Sequence, residues 1–501
     1  MTARTDATVE ITGTGVARSM SLAAAGHGAG QVTWFLSLVV LGALLDPSAF
    51  GTVAAGLVIV NSATLLMGAG TGGSIVSTRH LARGQVRSAM ALNLLLGAVA
   101  TIALVVLATP ITEQFAAGGD PEVLRWLSIA IGLHAVSVVP VAVLRRKMAF
   151  GRAALTSFVA YTTGGLVAVA IGVLGGGVWA LVARLVLYEA MLALLSVVFA
   201  RTVMGAALHS GGDDDDGARR RGGGWFFALA LANFVAFNAD YLIVGRFTDA
   251  ERLGLYALAF LVAFAPLRQF SWQIGSVLFS ASAATDGPEL IRRRLVTSLR
   301  LGSSLLLPGL VPAIVLAPVV LPGVLGEEWA SMVPVFQLLV AAGVAHAVVN
   351  IGAEFLSGTG HVDLRSWISI GWAGSMVVAL LVVVPSHGIV GAAAVHLGSI
   401  VPLGVATTVL GARRLDARLR TFWLATRGVV GAVLAQAVVT AGLVVALGTW
   451  GGADSAAAIV AALAGIVVAG VLLSTGDDAP WPTVLQLVQG GVLRRSGNAA
   501  S

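Results

Sequence analysis

The sequence predicts an all-α integral membrane protein of about 14 transmembrane helices: two six-helix lobes related by an internal repeat, plus two C-terminal helices. Three observations predict it. The chain is apolar, with 57% hydrophobic and 11% charged residues and a mean hydropathy of +0.93; a soluble domain carries about 25% charged residues. Its apolar runs are long enough to cross a hydrocarbon core of about 30 Å, and far longer than the roughly 10-residue alternating segments of a barrel. Within lipid the backbone must bond to itself, so such runs are helices. Finally, residues 39–76 and 242–279 align without a gap at an offset of 203. Gly42 falls on Gly245, Asp46 on Asp249, Gly51 on Gly254, Ala54 on Ala257 and Gly72 on Gly275. Each copy reads as an apolar helix end, a short Asp-containing turn, a Gly and another apolar helix.

The spans are expected at 18–45, 50–72, 88–110, 123–144, 153–175, 177–200, 225–245, 253–281, 295–325, 331–357, 365–385, 388–411, 424–447 and 455–474. The ninth is long and interrupted by Pro308, Pro312, Pro318 and Pro322, each of which removes a helical hydrogen bond. This divides the chain into an N-terminal segment (1–17), an N-lobe (18–202), a linker (203–224), a C-lobe (225–411), two extra helices (412–474) and a tail (475–501). The stretch HSGGDDDDGARRRGGG (209–224) is Gly-rich and charged, which predicts a disordered cytoplasmic connection. Its four consecutive Asp lack the imposed geometry of a metal site. The tail PWPTVLQLVQGGVLRR (480–495) suits the inner interface.

Basic residues orient the spans. With the N-terminus inside, all but five of the 30 Lys and Arg fall in cytoplasmic segments. Arg125, Arg246 and Arg252 lie outside, and Arg184 and Arg268 lie within spans. That asymmetry explains a pI near 10.6 without nucleic acid. Trp126, Trp179, Trp225, Trp329, Trp367, Trp423 and Trp450 fall at span ends, as an interfacial belt requires. The first apolar stretch is too long for a cleavable leader and reads as a retained span. With no cysteine, disulfides, thiol catalysis and Cys-ligated metal are excluded. There is no phosphate loop, helical His-Glu zinc motif or Ser elbow, so no cofactor or metal is implied. Internal duplication in so apolar a chain points to a two-lobed transporter with its site between the lobes.

Three stretches resemble a known family: LGALLDPSAFGTVAAGLVIV (41–60) with GAGTGGSIVSTR (68–79), NADYLIVGRFTDAERLGLYALAF (238–260) with GSVLFSASA (275–283), and LGEEWASMVPVFQLLVAAG (325–343) ending in LSGTGHVDLR (356–365). They resemble the multidrug/oligosaccharidyl-lipid/polysaccharide exporter superfamily, and within it the polysaccharide flippases of Wzx type. The motifs are turn and packing signals, not a catalytic signature. The resemblance implies a V-shaped transporter in a bacterial cytoplasmic membrane, with both termini inside. It would move an undecaprenyl-diphosphate-linked oligosaccharide between leaflets by alternating access. The partners implied are that lipid-linked cargo, membrane lipid, a coupling proton or sodium ion, and polysaccharide polymerase or ligase machinery.

Charges inside spans cost about 2.5–3.5 kcal/mol each on insertion scales and are functional candidates; the structural alternative is an ion pair or a snorkelling chain. Arg184 and Tyr188 share a face of the sixth span, a cation beside a ring that suits a diphosphate or an acidic sugar. Arg268 follows Pro266 in the eighth span, with Trp272 on its face; a proline-opened helix beside a cation is a transporter device. Arg184, Tyr188 and Arg268 form the expected anion-binding cavity. Glu189, Asp240 and Glu354 are ion-coupling or structural pairs: Glu189 must face another helix or a wet cavity, Asp240 pairs with an Arg or takes a coupling proton, and Glu354 reads as an interface residue. Asn233, Phe237 and Asp240 fall at i, i+4 and i+7, and Asn233 and Asn238 are expected on a polar luminal stripe. His27, His134, His346 and His396 lack metal-ligand spacing and read as hydrogen-bonded core residues.

Three other readings compete. An ion-driven multidrug exporter of the same superfamily usually has a carboxylate in its first helix, and none stands between Arg18 and Asp46. A peptidoglycan-precursor flippase would be expected to carry more basic residues along its N-terminal lobe. A polytopic glycosyltransferase or polymerase needs a sizeable aqueous catalytic loop, and the longest here is the 209–224 linker.

Overall fold

The computed structural model describes residues 13–67, 83–115, 119–147, 149–204, 220–283, 288–414, 419–448 and 454–475. Every regular element among them is helical. They cluster into two compact units, one of residues up to 216 with Asp249–Gly254, the other of Gly217–Thr248 with residues from Leu255 onward.

The first unit contains α1 (Gly13–Leu44), α2 (Pro47–Met67), α3 (Arg83–Phe115), α4 (Pro121–Arg146), α5 (Phe150–Val173) and α6 (Val178–Met204). α4 is its centre. Asp120 caps it by accepting from the Glu122 N–H at 2.9 Å, Pro121 sits at N1, and Arg145 and Arg146 end it; each choice suits that end of a helix dipole. Its buried Leu124, Leu127, Ile131 and Leu144 pack among α2, α3 and α6. α1 packs along α5. On α3 the exposed face is Leu95, Val99, Ile102 and Val106, a surface made for lipid.

The repeat is in register down to the residue. α1 ends at Leu44 and α2 begins at Pro47; α8 (Ala239–Phe247) ends at Phe247 and α9 (Ala250–Ala283) begins at Ala250. Both pairs differ by the same 203 residues that align the sequence copies. Asp46 and Asp249 are exposed in the two turns, and Ala54 and Ala257 are buried. The Asp249 carboxylate accepts from the Arg252 N–H at 2.8 Å, an N-cap. Gly51 and Gly254 meet. A Cβ on Gly51 would fall on the Ala250 carbonyl oxygen, and one on Gly254 on that of Pro47. The segment Asp249–Gly254 clusters with the first unit, so the start of each repeat's second helix crosses the other with bare backbone in contact. Gly72 lies outside the described residues.

The second unit also holds α7 (Arg220–Ala236), α10 (Pro288–Leu306), α11 (Leu310–Leu325), α12 (Val333–Gly358), α13 (Val362–Arg414), α14 (Leu419–Gly448) and α15 (Asp454–Thr475). Three breaks shape it. The expected single span over 225–245 is two helices, α7 and α8, parted at Phe237 and Asn238, with the Asn238 amide donating to the Phe234 carbonyl at 2.8 Å. The proline-rich ninth span is interrupted once, by a 3-10 turn at Leu307–Gly309. α13 turns at Gly388, whose φ of 55° and ψ of −141° are not helical. The Trp372 Nε1–H donates to Ser399 Oγ at 3.0 Å, 27 residues along; a straight helix would hold such residues about 40 Å apart. α13 is therefore a hairpin.

Twelve helices are long and apolar enough to cross a membrane among the described residues. One of the twelve is the 50-residue stretch Val362–Gly411, which the Gly388 turn folds into two arms; the 22-residue α15 follows α14. Of the expected linker, residues 205–219 lie outside the described residues, while 203–204 and 220–224 are helical. α9 runs through Pro266 without interruption, so the expected opening of that helix is corrected: the breaks fall at 237–238 and at Pro308 instead.

Candidate functional site

In the first unit, α1, α5 and α6 build a polar and aromatic cluster inside the span region. Arg184 of α6 is 9% exposed. Its Nε donates to Ser37 Oγ at 3.2 Å and its Nη2 to the Trp34 carbonyl. The guanidinium lies 3.5 Å from the centre of the Trp34 ring, a cation–π contact. The ring beside Arg184 is thus Trp34 of α1, rather than Tyr188 one turn along. Tyr188 stacks on Tyr161 of α5 at 4.8 Å, and Trp34 lies 5.2 Å from Tyr188 and 5.6 Å from Tyr161. His27 meets the edge of Tyr161 at 5.8 Å and bonds to Gln31 at 3.2 Å. Gly164 makes this packing fit. A Cβ there would stand 2.7 Å from the Arg184 carbonyl oxygen and 3.2 Å from Trp34 Cζ3.

Glu189 turns away from Arg184 and accepts from His134 Nδ1 of α4 at 3.1 and 3.2 Å. No carboxylate pairs with Arg184 among the described residues.

In the second unit, Asp240 stands in the first turn of α8, fully buried. Its Oδ2 accepts from Tyr256 Oη at 2.7 Å and from His396 Nε2 at 2.9 Å. The expected Arg partner is therefore replaced by Tyr256 and His396, both also 0% exposed. Asp240 Oδ1 and His396 Nδ1 are buried without a hydrogen bond. The break at 237–238 also corrects the expected stripe. Asn233, Phe237 and Asp240 do not share one helix: Asn233 lines a small cavity and Asp240 bonds elsewhere. Asn238 spends its amide on its own chain.

Arg268, on α9, is exposed and lies 5.1 Å over the Phe237 ring. No carboxylate pairs with it among the described residues. Glu354 is buried: it takes Arg365 Nη2 at 2.8 Å and packs on the bare backbone of Gly275, where a Cβ would stand 2.6 Å from its Cγ. Arg365 also donates to Ser357 at 2.9 Å and to Asn350 at 3.2 Å. Beside this network is a cavity of about 20 Å³ bordered by Asn233, His346, Arg365, Ser369 and Thr407, room for a water molecule. His346 stacks on Trp372 at 5.7 Å and keeps an unbonded, buried Nδ1.

Sequence reasoning missed Trp34, Tyr161, Tyr256 and Arg365. The i, i+4, i+7 spacing of His27, Gln31 and Trp34 was the available signal for the first. Arg365, expected at the cytoplasmic end of the span over 365–385, sits in the first turn of α13 and bonds to Glu354.

The geometry has one charge pattern. Glu189, Asp240 and Glu354 are each bound by a basic side chain, while Arg184 and Arg268 have no carboxylate. Buried charge held among apolar helices marks functional candidates in a polytopic membrane protein. The chain belongs to the polysaccharide biosynthesis protein family, whose model matches residues 40–334. It is 25% identical over 334 residues to the succinoglycan biosynthesis transport protein ExoT of Rhizobium meliloti (strain 1021), covering 66% of this chain and 67% of that one. The lipopolysaccharide biosynthesis protein WzxC of Escherichia coli (strain K12) matches at the same identity and coverage. The fold is that of the lipid II flippase MurJ in its inward closed conformation, with a TM-score of 0.68 at 10% identity over 90% of this chain and 98% of that one.

Proposed function

We propose that this protein flips a lipid-linked oligosaccharide, carried on undecaprenyl diphosphate, across the bacterial cytoplasmic membrane by alternating access. Both termini are cytoplasmic in this reading, and the product is handed to polymerase or ligase machinery. One observation carries it: Arg268 is an exposed intramembrane cation without a carboxylate partner among the described residues. A guanidinium left unpaired in a span is costly unless an anion visits it, and it grips phosphate oxygens in a bidentate fork. Arg184 is bonded to Trp34 and Ser37 and acts as scaffold. An organic cation, the cargo of a drug exporter, would need a free carboxylate. The intramembrane carboxylates Glu189, Asp240 and Glu354 are all bound to basic groups.

The test is headgroup translocation of undecaprenyl-diphosphate oligosaccharide in proteoliposomes. Arg268→Ala is expected to cut the rate about 10- to 100-fold, the loss of a hydrogen-bonded charge, with its melting temperature held. Arg184→Ala is expected to lower the melting temperature first. Full transport by Arg268→Ala overturns the anion site; proton- or sodium-driven efflux of an organic cation with no lipid movement overturns the flippase.

A further inference from the structure

The first unit holds an aromatic platform that the diphosphate chemistry does not use. We propose that Trp34, Tyr161 and Tyr188 form a sugar-stacking subsite that takes a pyranose ring of the lipid-linked glycan; this rests on the flippase reading above.

The rings come from three helices and converge: Tyr161 on Tyr188 at 4.8 Å, Trp34 at 5.2 Å from Tyr188 and 5.6 Å from Tyr161. All three are only partly buried, with Tyr161 and Tyr188 covering one face of each other and Arg184 covering one face of Trp34. His27, Gln31 and Arg184 stand in the same cluster, and polar side chains in a span face protein or a wet cavity. The cluster is also held rigid. Arg184 clamps Trp34 from its ring face while bonding to its backbone carbonyl. Gly30 and Gly164 let the helices close, since a Cβ at Gly30 would stand 3.1 Å from Tyr161 Cδ2 and one at Gly164 3.2 Å from Trp34 Cζ3.

The ligand chemistry follows from what is free. Arg184 is already bonded to neutral partners, so the platform is not an anion hook. Half-buried aromatic rings with a polar rim match a molecule with an apolar face and hydroxyl edges. A pyranose is that molecule: its axial C–H bonds present partial positive charge to the negative ring face, and its hydroxyls meet the rim. A polyprenyl tail needs no such rim. Every pyranose has a C–H face, so the subsite supplies affinity across different glycans.

The test compares two probes on the full-length protein in nanodiscs: undecaprenyl diphosphate alone and undecaprenyl diphosphate-linked galactose. The wild type is expected to bind the galactosyl lipid about tenfold more tightly than the bare one, the scale of one aromatic stack. Tyr161→Leu and Tyr188→Leu should each erase that gain and leave the affinity for bare undecaprenyl diphosphate unchanged. Tyr161→Phe and Tyr188→Phe keep the ring and should keep most of the gain, which makes the result independent of any Leu variant that fails to fold. No sugar-dependent gain in the wild type, Leu variants that retain the gain, or Phe variants that lose it as fully as Leu, each overturns the subsite. If undecaprenyl diphosphate itself does not bind, the flippase reading falls with it; if it binds but galactose adds nothing, the subsite alone falls.

Discussion

The Asp240 carboxylate is held by two donors from other helices. It is wholly buried with His396 and Tyr256, and both bond to the same oxygen. Removing one donor from a buried charge costs about 1.5–3 kcal/mol. Tyr256→Phe is expected to lower the melting temperature in nanodiscs accordingly. His396→Ala should cost more, because it removes the other donor to the carboxylate and also leaves a cavity where the ring stood. A melting temperature unchanged by both substitutions would mean that this triad does not hold the second unit together. That Asp240 was a costly charge was legible from its place in an apolar run. Its partners were not: Tyr256 is 16 residues away and His396 is 156, and no spacing rule links residues on different helices. The same limit hid Trp34, which meets Arg184 from 150 residues away. What a helical wheel offered instead was Tyr188, on the same helix.

Elements obey local rules, and there the sequence speaks more clearly. The turn between α8 and α9 repeats the turn between α1 and α2 at a constant offset, and the helix ends fall where the aligned Asp residues place them. The reason for the aligned glycines appears only in three dimensions. Gly51 and Gly254 face one another's helix backbone, so a methyl on either would strike a carbonyl. Gly51→Ala and Gly254→Ala are each expected to destabilise the crossing by about 1–3 kcal/mol, the usual cost of overpacking. The double variant should cost less than the sum, because the first methyl already parts the helices that the second would push. Thermal unfolding of the three variants checks this, and strict additivity would refute the shared crossing. Prolines were a poorer guide. Pro266 leaves α9 intact while Phe237 and Asn238, with no proline, separate α7 from α8. A lost helical bond can be absorbed by neighbouring groups within a packed bundle, so proline marks where a helix can open, not where it does.

At the scale of the molecule the polarity is inverted relative to a soluble protein. Gln436, Thr440, Asn93 and Ser303 are buried, while Val99, Ile102, Val106, Val378, Val382 and Val438 are exposed. This inversion follows from the solvent: lipid is as apolar as a leucine side chain, so burial of apolar surface no longer separates inside from outside. Composition alone therefore fixed the class and the helices, while the face each helix turns to lipid needed coordinates. The distinction can be measured by moving one charge. Val106 on α3 is 70% exposed and lies well inside the span Val86–Phe115. Val106→Arg is expected to cost about 2.5–3.5 kcal/mol of insertion free energy, read as a fall in the membrane-inserted fraction. Arg184 carries the same charge at similar remove from a span end, yet its cost is offset by Ser37, the Trp34 carbonyl and the Trp34 ring. Removing the ring and the hydroxyl in Trp34→Leu/Ser37→Ala, which leaves the backbone carbonyl at position 34 in place, should therefore reproduce part of the insertion defect of Val106→Arg without adding any charge. Normal insertion of that double variant would show that the ring and the hydroxyl do not offset the charge of Arg184.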